Sequence, residues 1–116
     1  MDSILNYHET ESPISHIKKY QLIKGDAIKE TKIFLEKNPQ TIIALAYFDF
    51  DLYEPTKIAL ETFVPRMPKG AIIAFDELDN PLWPGETRAM IEFSLDRRLN
   101  IKHFPFDPYI AYAVID

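Results

Sequence analysis

Ile42-Ile43-Ala44-Leu45-Ala46-Tyr47-Phe48 decides the fold, because it is apolar throughout and shows none of the in-out alternation of a half-wet strand. Such a run reads as a strand buried on both faces. Ala71-Ile72-Ile73-Ala74-Phe75 reads the same way. A third run, Tyr20-Gln21-Leu22-Ile23-Lys24, is shorter and more polar, which suits an edge strand or one whose proper neighbour is missing.

Helical patterns fill the gaps between these runs. Asp26 can cap a helix from Ala27 to Lys37 that ends at Asn38-Pro39, where the proline disfavours helix at the residue before it. Glu54-Pro55 places an acid and a proline in the first turn of a second helix, with Ala59, Leu60, Phe63 and Val64 as its apolar stripe. That helix stops near Pro65-Arg66-Met67-Pro68, with Gly70 as a turn. A third helix, from about Gly85 to Leu99, buries Ala89, Met90 and Phe93. After it, Ile101 to Phe106 and Tyr109 to Ile115 flank an Asp107-Pro108 turn and read as a hairpin. The order strand, helix, strand, helix, strand, helix, hairpin is that of an α/β layered sheet, mostly parallel, with an antiparallel hairpin at its C-terminal end. Residues 1–19, with Pro13 and few periodic apolar positions, read as a loosely structured lead-in.

The 116 residues carry 13 basic and 18 acidic side chains, a formal net charge of −5, and 47% hydrophobic residues, which is the balance of one ordinary globular domain over 1–116. A chain of this size buries roughly 65% of its unfolded surface, enough for a core without staples. The absence of cysteine excludes a disulfide framework, a thiolate zinc site and a cysteine nucleophile, and fits a reducing compartment. The acidity argues against nucleic-acid or anionic-membrane partners. The longest apolar run falls well short of the roughly 20 residues of a membrane span, and Met1-Asp2-Ser3 opens no signal peptide. A soluble, cytoplasmic protein is expected.

In open α/β sheets ligands bind beyond the carboxyl ends of the strands, and here those ends are acidic. Phe48 leads into Asp49-Phe50-Asp51, and Phe75 into Asp76-Glu77, with Asp79 close behind. If the two strands are neighbours, Asp49, Asp76 and Glu77 converge, and three carboxylates that close repel unless a cation neutralises them. Oxygen donors alone suit a hard ion, magnesium first, then calcium or manganese. The alternative is that these acids cap the helices that follow them. Asp26 has the same two readings, ligand contact at the sheet edge or helix cap. His8, His16 and His103 are scattered and read as surface residues, and Tyr53 and Arg88 as packing and surface residues. Trp83 could cover a ligand or plug the core. Glycines at 25, 70 and 85 build no phosphate-binding loop.

Ile23-Lys24-Gly25-Asp26-Ala27, Asp49-Phe50-Asp51-Leu52-Tyr53-Glu54-Pro55-Thr56-Lys57, Phe75-Asp76-Glu77 and Trp83-Pro84-Gly85-Glu86-Thr87 together resemble the macrocin-type O-methyltransferases, class I S-adenosylmethionine enzymes that methylate sugar hydroxyls. The resemblance runs from about residue 12 and covers the C-terminal half of that Rossmann-like domain, the glycine-rich cofactor loop lying in the other half. It implies Asp49, Asp76 and Glu77 as ligands of Mg2+ or Ca2+, Asp51 as the base that takes a sugar or polyol proton, and Asp26 as a contact to the adenine of S-adenosylmethionine. Glu77 stands where members of the family often carry a second aspartate. The expectation is a metal-assisted O-methyltransferase present as a truncated or half-domain homologue. The competing expectation is a noncatalytic α/β module that keeps the acids as relics and works by self-association or by binding a partner. In either case the uncovered edge of the Ile42–Phe48 strand calls for a homodimer or for pairing with a missing half.

Overall fold

The computed structural model describes residues 1–50, 52–76, 85–96 and 99–116. Over them the chain runs α1 (Asp2–Glu11), α2 (Ala27–Lys37), β1 (Leu45–Phe48), α3 (Tyr53–Phe63), a 3₁₀ turn (Val64–Arg66), β2 (Ile72–Phe75), α4 (Gly85–Asp96), β3 (Lys102–Phe104) and β4 (Asp107–Val114). The strands form one mixed sheet in the order β1-β2-β4-β3. β1 and β2 are parallel, Leu45 opposite Ile72 and Phe48 opposite Phe75, while β2–β4 and β3–β4 are antiparallel. This is an α/β fold whose C-terminal hairpin closes the sheet.

The core lies between the sheet and the α3/α4 pair. Phe48, Leu60, Ile73, Phe75, Ala89 and Ala111 are all at most 2% exposed. Phe48 packs edge-on against Phe75 at 5.6 Å between ring centroids and stacks on Phe63 of α3 at 5.8 Å. Each aromatic pair of this kind contributes about 1 kcal/mol beyond its buried area. The two phenylalanines that end β1 and β2 are therefore anchored, and the acids that follow them leave from a fixed floor. Thr56, the buried polar residue of α3, satisfies its hydroxyl by donating to the Leu52 carbonyl at 2.7 Å. At the entry to β2 the backbone turns through Gly70 at φ +91°, a conformation that disfavours a side chain. Gly70 N–H donates to the Ile115 carbonyl at 2.7 Å, tying that turn to the end of β4.

Five sequence expectations change. Tyr20–Lys24 forms no strand: a ladder requires a partner, and among the described residues none runs beside it. β1 begins at Leu45, because Ile43 N–H is taken by the Arg66 carbonyl at 2.9 Å and Ile42 is exposed. β1 is buried on one face only, its residues alternating exposed and buried. The hairpin turns at Pro105-Phe106, with Phe104 opposite Asp107, two residues before the expected Asp107-Pro108. The lead-in carries α1, no residue of which is buried. It is tied to the following segment by Lys19 Nζ to Glu9 Oε1 at 2.6 Å and by Tyr20 Oη donating to Asp2 Oδ1 at 2.9 Å.

Candidate functional site

Because Phe48 and Phe75 are register partners in a parallel pair, the next residue on each strand, Asp49 and Asp76, emerges at the same end of the sheet. Asp76 N–H donates to the Phe48 carbonyl at 3.0 Å, which carries the pairing one residue past β2. The Asp76 carboxylate, half-buried, accepts a 2.5 Å hydrogen bond from the hydroxyl of Tyr47, which lies on the sheet face away from α3 and α4. Asp49 is exposed. Asp51 and Glu77 lie outside the described residues, as do Asp79 and Trp83. Two of the four strand-end acids are thus brought together, and among the described residues no group of three potential metal ligands forms.

Asp26 is not at a strand end. Its side chain caps α2, with Oδ1 accepting from Lys29 N–H at 3.1 Å, and its carbonyl accepts from Glu30 N–H at 2.8 Å. Gly25 before it sits at φ +142°, and a Cβ there would meet Glu30 Cγ at 2.8 Å, so this entry to α2 is specific to glycine.

α3 starts without a side-chain cap, and Tyr53 anchors it instead. The Tyr53 ring packs against the core while its hydroxyl donates to a carboxylate oxygen of Glu92 on α4. The Arg88 guanidinium lies 4.4 Å from the ring centroid, and its Nε is 3.4 Å from Glu92 Oε1. The Tyr53 hydroxyl, foremost, and the Arg88 charge hold the Glu92 carboxyl below the usual glutamate range. This clamp joins the start of α3, the helix after β1 in the chain, to the middle of α4, the next helix after β2. Tyr53 does pack against the core and Arg88 is exposed, as the sequence suggested, but the link to Glu92 was not legible, since residues 39 apart in sequence announce no contact. Tyr47 was missed for a related reason: within an apolar run an aromatic reads as core, and only the pairing register shows its hydroxyl reaching the next strand's end.

Carboxylate oxygens suit a hard cation, which magnesium meets with one or two carboxylates and waters. No described helix is long and apolar enough to cross a membrane.

No family model matches the chain, and no curated protein does. Solved structures do. The apo structure of CalS11, a TDP-rhamnose 3'-O-methyltransferase of calicheamicin biosynthesis, superposes with a TM-score of 0.90 at 44% identity over 97% of this chain and 48% of its own. A second CalS11 structure gives the same score and identity over 44% of its length. The O-methyltransferase NovP, at 23% identity and a TM-score of 0.54 over 62% of this chain and 29% of its own, shares the fold. The chain therefore spans about half the length of CalS11.

Proposed function

We propose, for a chain related to the sugar O-methyltransferases, that it forms the part of such an enzyme that receives the acceptor hydroxyl and activates it for methylation by S-adenosylmethionine. The observation that carries this reading is the emergence of Asp49 and Asp76 side by side from two paired strands, in a chain 44% identical to a sugar O-methyltransferase over nearly all its length. CalS11 acts on a TDP-linked rhamnose, and a nucleotide-linked sugar is the acceptor class proposed here.

Asp49 and Asp76, with Glu77 next along the chain, would hold a hard divalent cation, Mg2+ or Ca2+, whose charge lowers the pKa of a bound sugar hydroxyl. Asp51, two residues past Asp49, takes the hydroxyl proton onto a carboxylate oxygen. S-adenosylmethionine, when bound, would supply the methyl group to the sugar oxygen and leave as the neutral thioether. Beyond this the chain supplies alignment, through the anchored phenylalanine floor and the Tyr53–Glu92 clamp. Asp26, at the start of α2, is the proposed contact to the adenine.

Calorimetric titration of Mg2+ and Ca2+ into the chain tests the cation role. Weak binding that disappears in Asp49→Asn and Asp76→Asn is expected. Binding unchanged in both variants contradicts the site, and no binding in the unsubstituted chain favours a relic without catalysis.

A further inference from the structure

α3 begins where the acidic connection after β1 ends, and it begins without a side-chain cap. A helix start of this kind depends on other ties for its position. Here the tie comes from α4. Tyr53, the first residue of α3, donates from its hydroxyl to one Glu92 carboxylate oxygen, while Arg88 lies over the Tyr53 ring and reaches the other oxygen. Lys57, one turn further along α3, has its Nζ 5.8 Å from the same ring centroid, and the Tyr53 hydroxyl, foremost, pushes the pKa of that ammonium up. A hydrogen bond to a charged acceptor is roughly twice as strong as a neutral one.

The connection that ends at Tyr53 starts at Phe48 and carries Asp49 and Asp51 between them. Its entry is fixed by Phe48, 2% exposed and packed against Phe75 and Phe63. Phe50 stacks on Phe48 with ring centroids 6.1 Å apart. At the exit, the Thr56 hydroxyl donates to the Leu52 carbonyl at 2.7 Å. That bond shapes the first turn of α3 but ties it to no other element. The Tyr53–Glu92 bond does.

We propose that Glu92 is a positioning residue of the candidate site. Through the Tyr53 hydroxyl it holds the exit of the acidic connection, and so fixes where Asp49 stands toward a cation shared with Asp76. The proposal rests on the reading of Asp49 and Asp76 as cation ligands, and it adds the residue on α4 that places one of them.

Amide exchange and Mg2+ calorimetry on the same variants test it. In Tyr53→Phe and Glu92→Ala the amides of Phe50, Thr56 and Lys57 should exchange about tenfold faster, as on losing one hydrogen bond to a charged acceptor, while those of β2 keep their rates. Mg2+ affinity should fall by about tenfold in both. Glu92→Gln, whose amide oxygen still accepts from the Tyr53 hydroxyl, should restore exchange and affinity together. Leu60→Ala, which loosens the core and leaves the clamp groups in place, should keep the Mg2+ affinity. Exchange that is unchanged in Tyr53→Phe and Glu92→Ala, or raised equally in β2, overturns the proposal. So does a Glu92→Gln variant no better than Glu92→Ala, or an affinity that falls as far in Leu60→Ala. An unsubstituted chain that binds no Mg2+ contradicts the cation reading itself, and this role of Glu92 with it, even where exchange shows the clamp to hold.

Discussion

Asp76 is held twice, by its own N–H on the Phe48 carbonyl and by its carboxylate on the Tyr47 hydroxyl. The first bond fixes where the backbone leaves the sheet, and the second fixes which way the carboxylate faces. Groups that orient a metal-binding carboxylate typically contribute 10- to 100-fold in affinity. Tyr47→Phe keeps the ring and removes the hydroxyl, so it should weaken Mg2+ binding in calorimetry by about that factor while leaving the melting midpoint in place. Unchanged affinity would show that the hydroxyl does not orient the carboxylate. At Glu92 the effect is on pH dependence. Its carboxyl is held below the usual glutamate range by the Tyr53 hydroxyl first and by Arg88 second. A depressed acid contributes stability that is complete above its unfolded value and is lost as pH falls through its folded value. The melting midpoint should therefore fall on acidification below about pH 4.5. Tyr53→Phe should flatten that acid limb, and an unaltered limb would place the acid sensitivity elsewhere.

Among the elements, α2 depends on its cap and α3 on its packing. Asp26→Ala removes the acceptor for Lys29 N–H and should cost about 1 kcal/mol in chemical denaturation. Leu60, fully buried on α3, should cost about 2–5 kcal/mol on replacement by alanine. A loss below 1 kcal/mol would mean that the core collapses around the gap. The range of α2 and the Asp26 cap could be read directly from the sequence because both are local, a capping side chain and a proline stop. β1 and β2 could be read from their apolar runs, and their adjacency from the strand-helix-strand order. What could not be read depends on distant partners. Tyr20–Lys24 had strand-like residues and, among the described residues, no neighbour to pair with. α1 has no apolar stripe facing a core, so periodicity did not reveal it. The hairpin turn shifted because Asp107 pairs opposite Phe104 and accepts from Ile110 N–H at 3.3 Å, which opens β4 rather than the loop. Of the site, the meeting of Asp49 and Asp76 follows from strand order, whereas the Tyr47 and Tyr53 contacts cross between elements and leave no local signature.

At the scale of the whole molecule, a Cα radius of gyration of 15.4 Å compares with about 13.4 Å for a compact chain of this length. The chain is thus less compact than is usual for its length, and it spans about half of CalS11. The central claim is that this span carries the acceptor-activating groups of a sugar O-methyltransferase. It is tested most directly by replacing the matching part of CalS11 with this chain and measuring methyl transfer from S-adenosylmethionine to TDP-rhamnose. The chimera should transfer the methyl group. Asp51→Asn within it should lower turnover by roughly 10²- to 10⁴-fold, as loss of a general base does, with S-adenosylmethionine binding unchanged. A chimera that folds and binds S-adenosylmethionine yet transfers no methyl group, or whose turnover is indifferent to Asp51→Asn, would contradict the account.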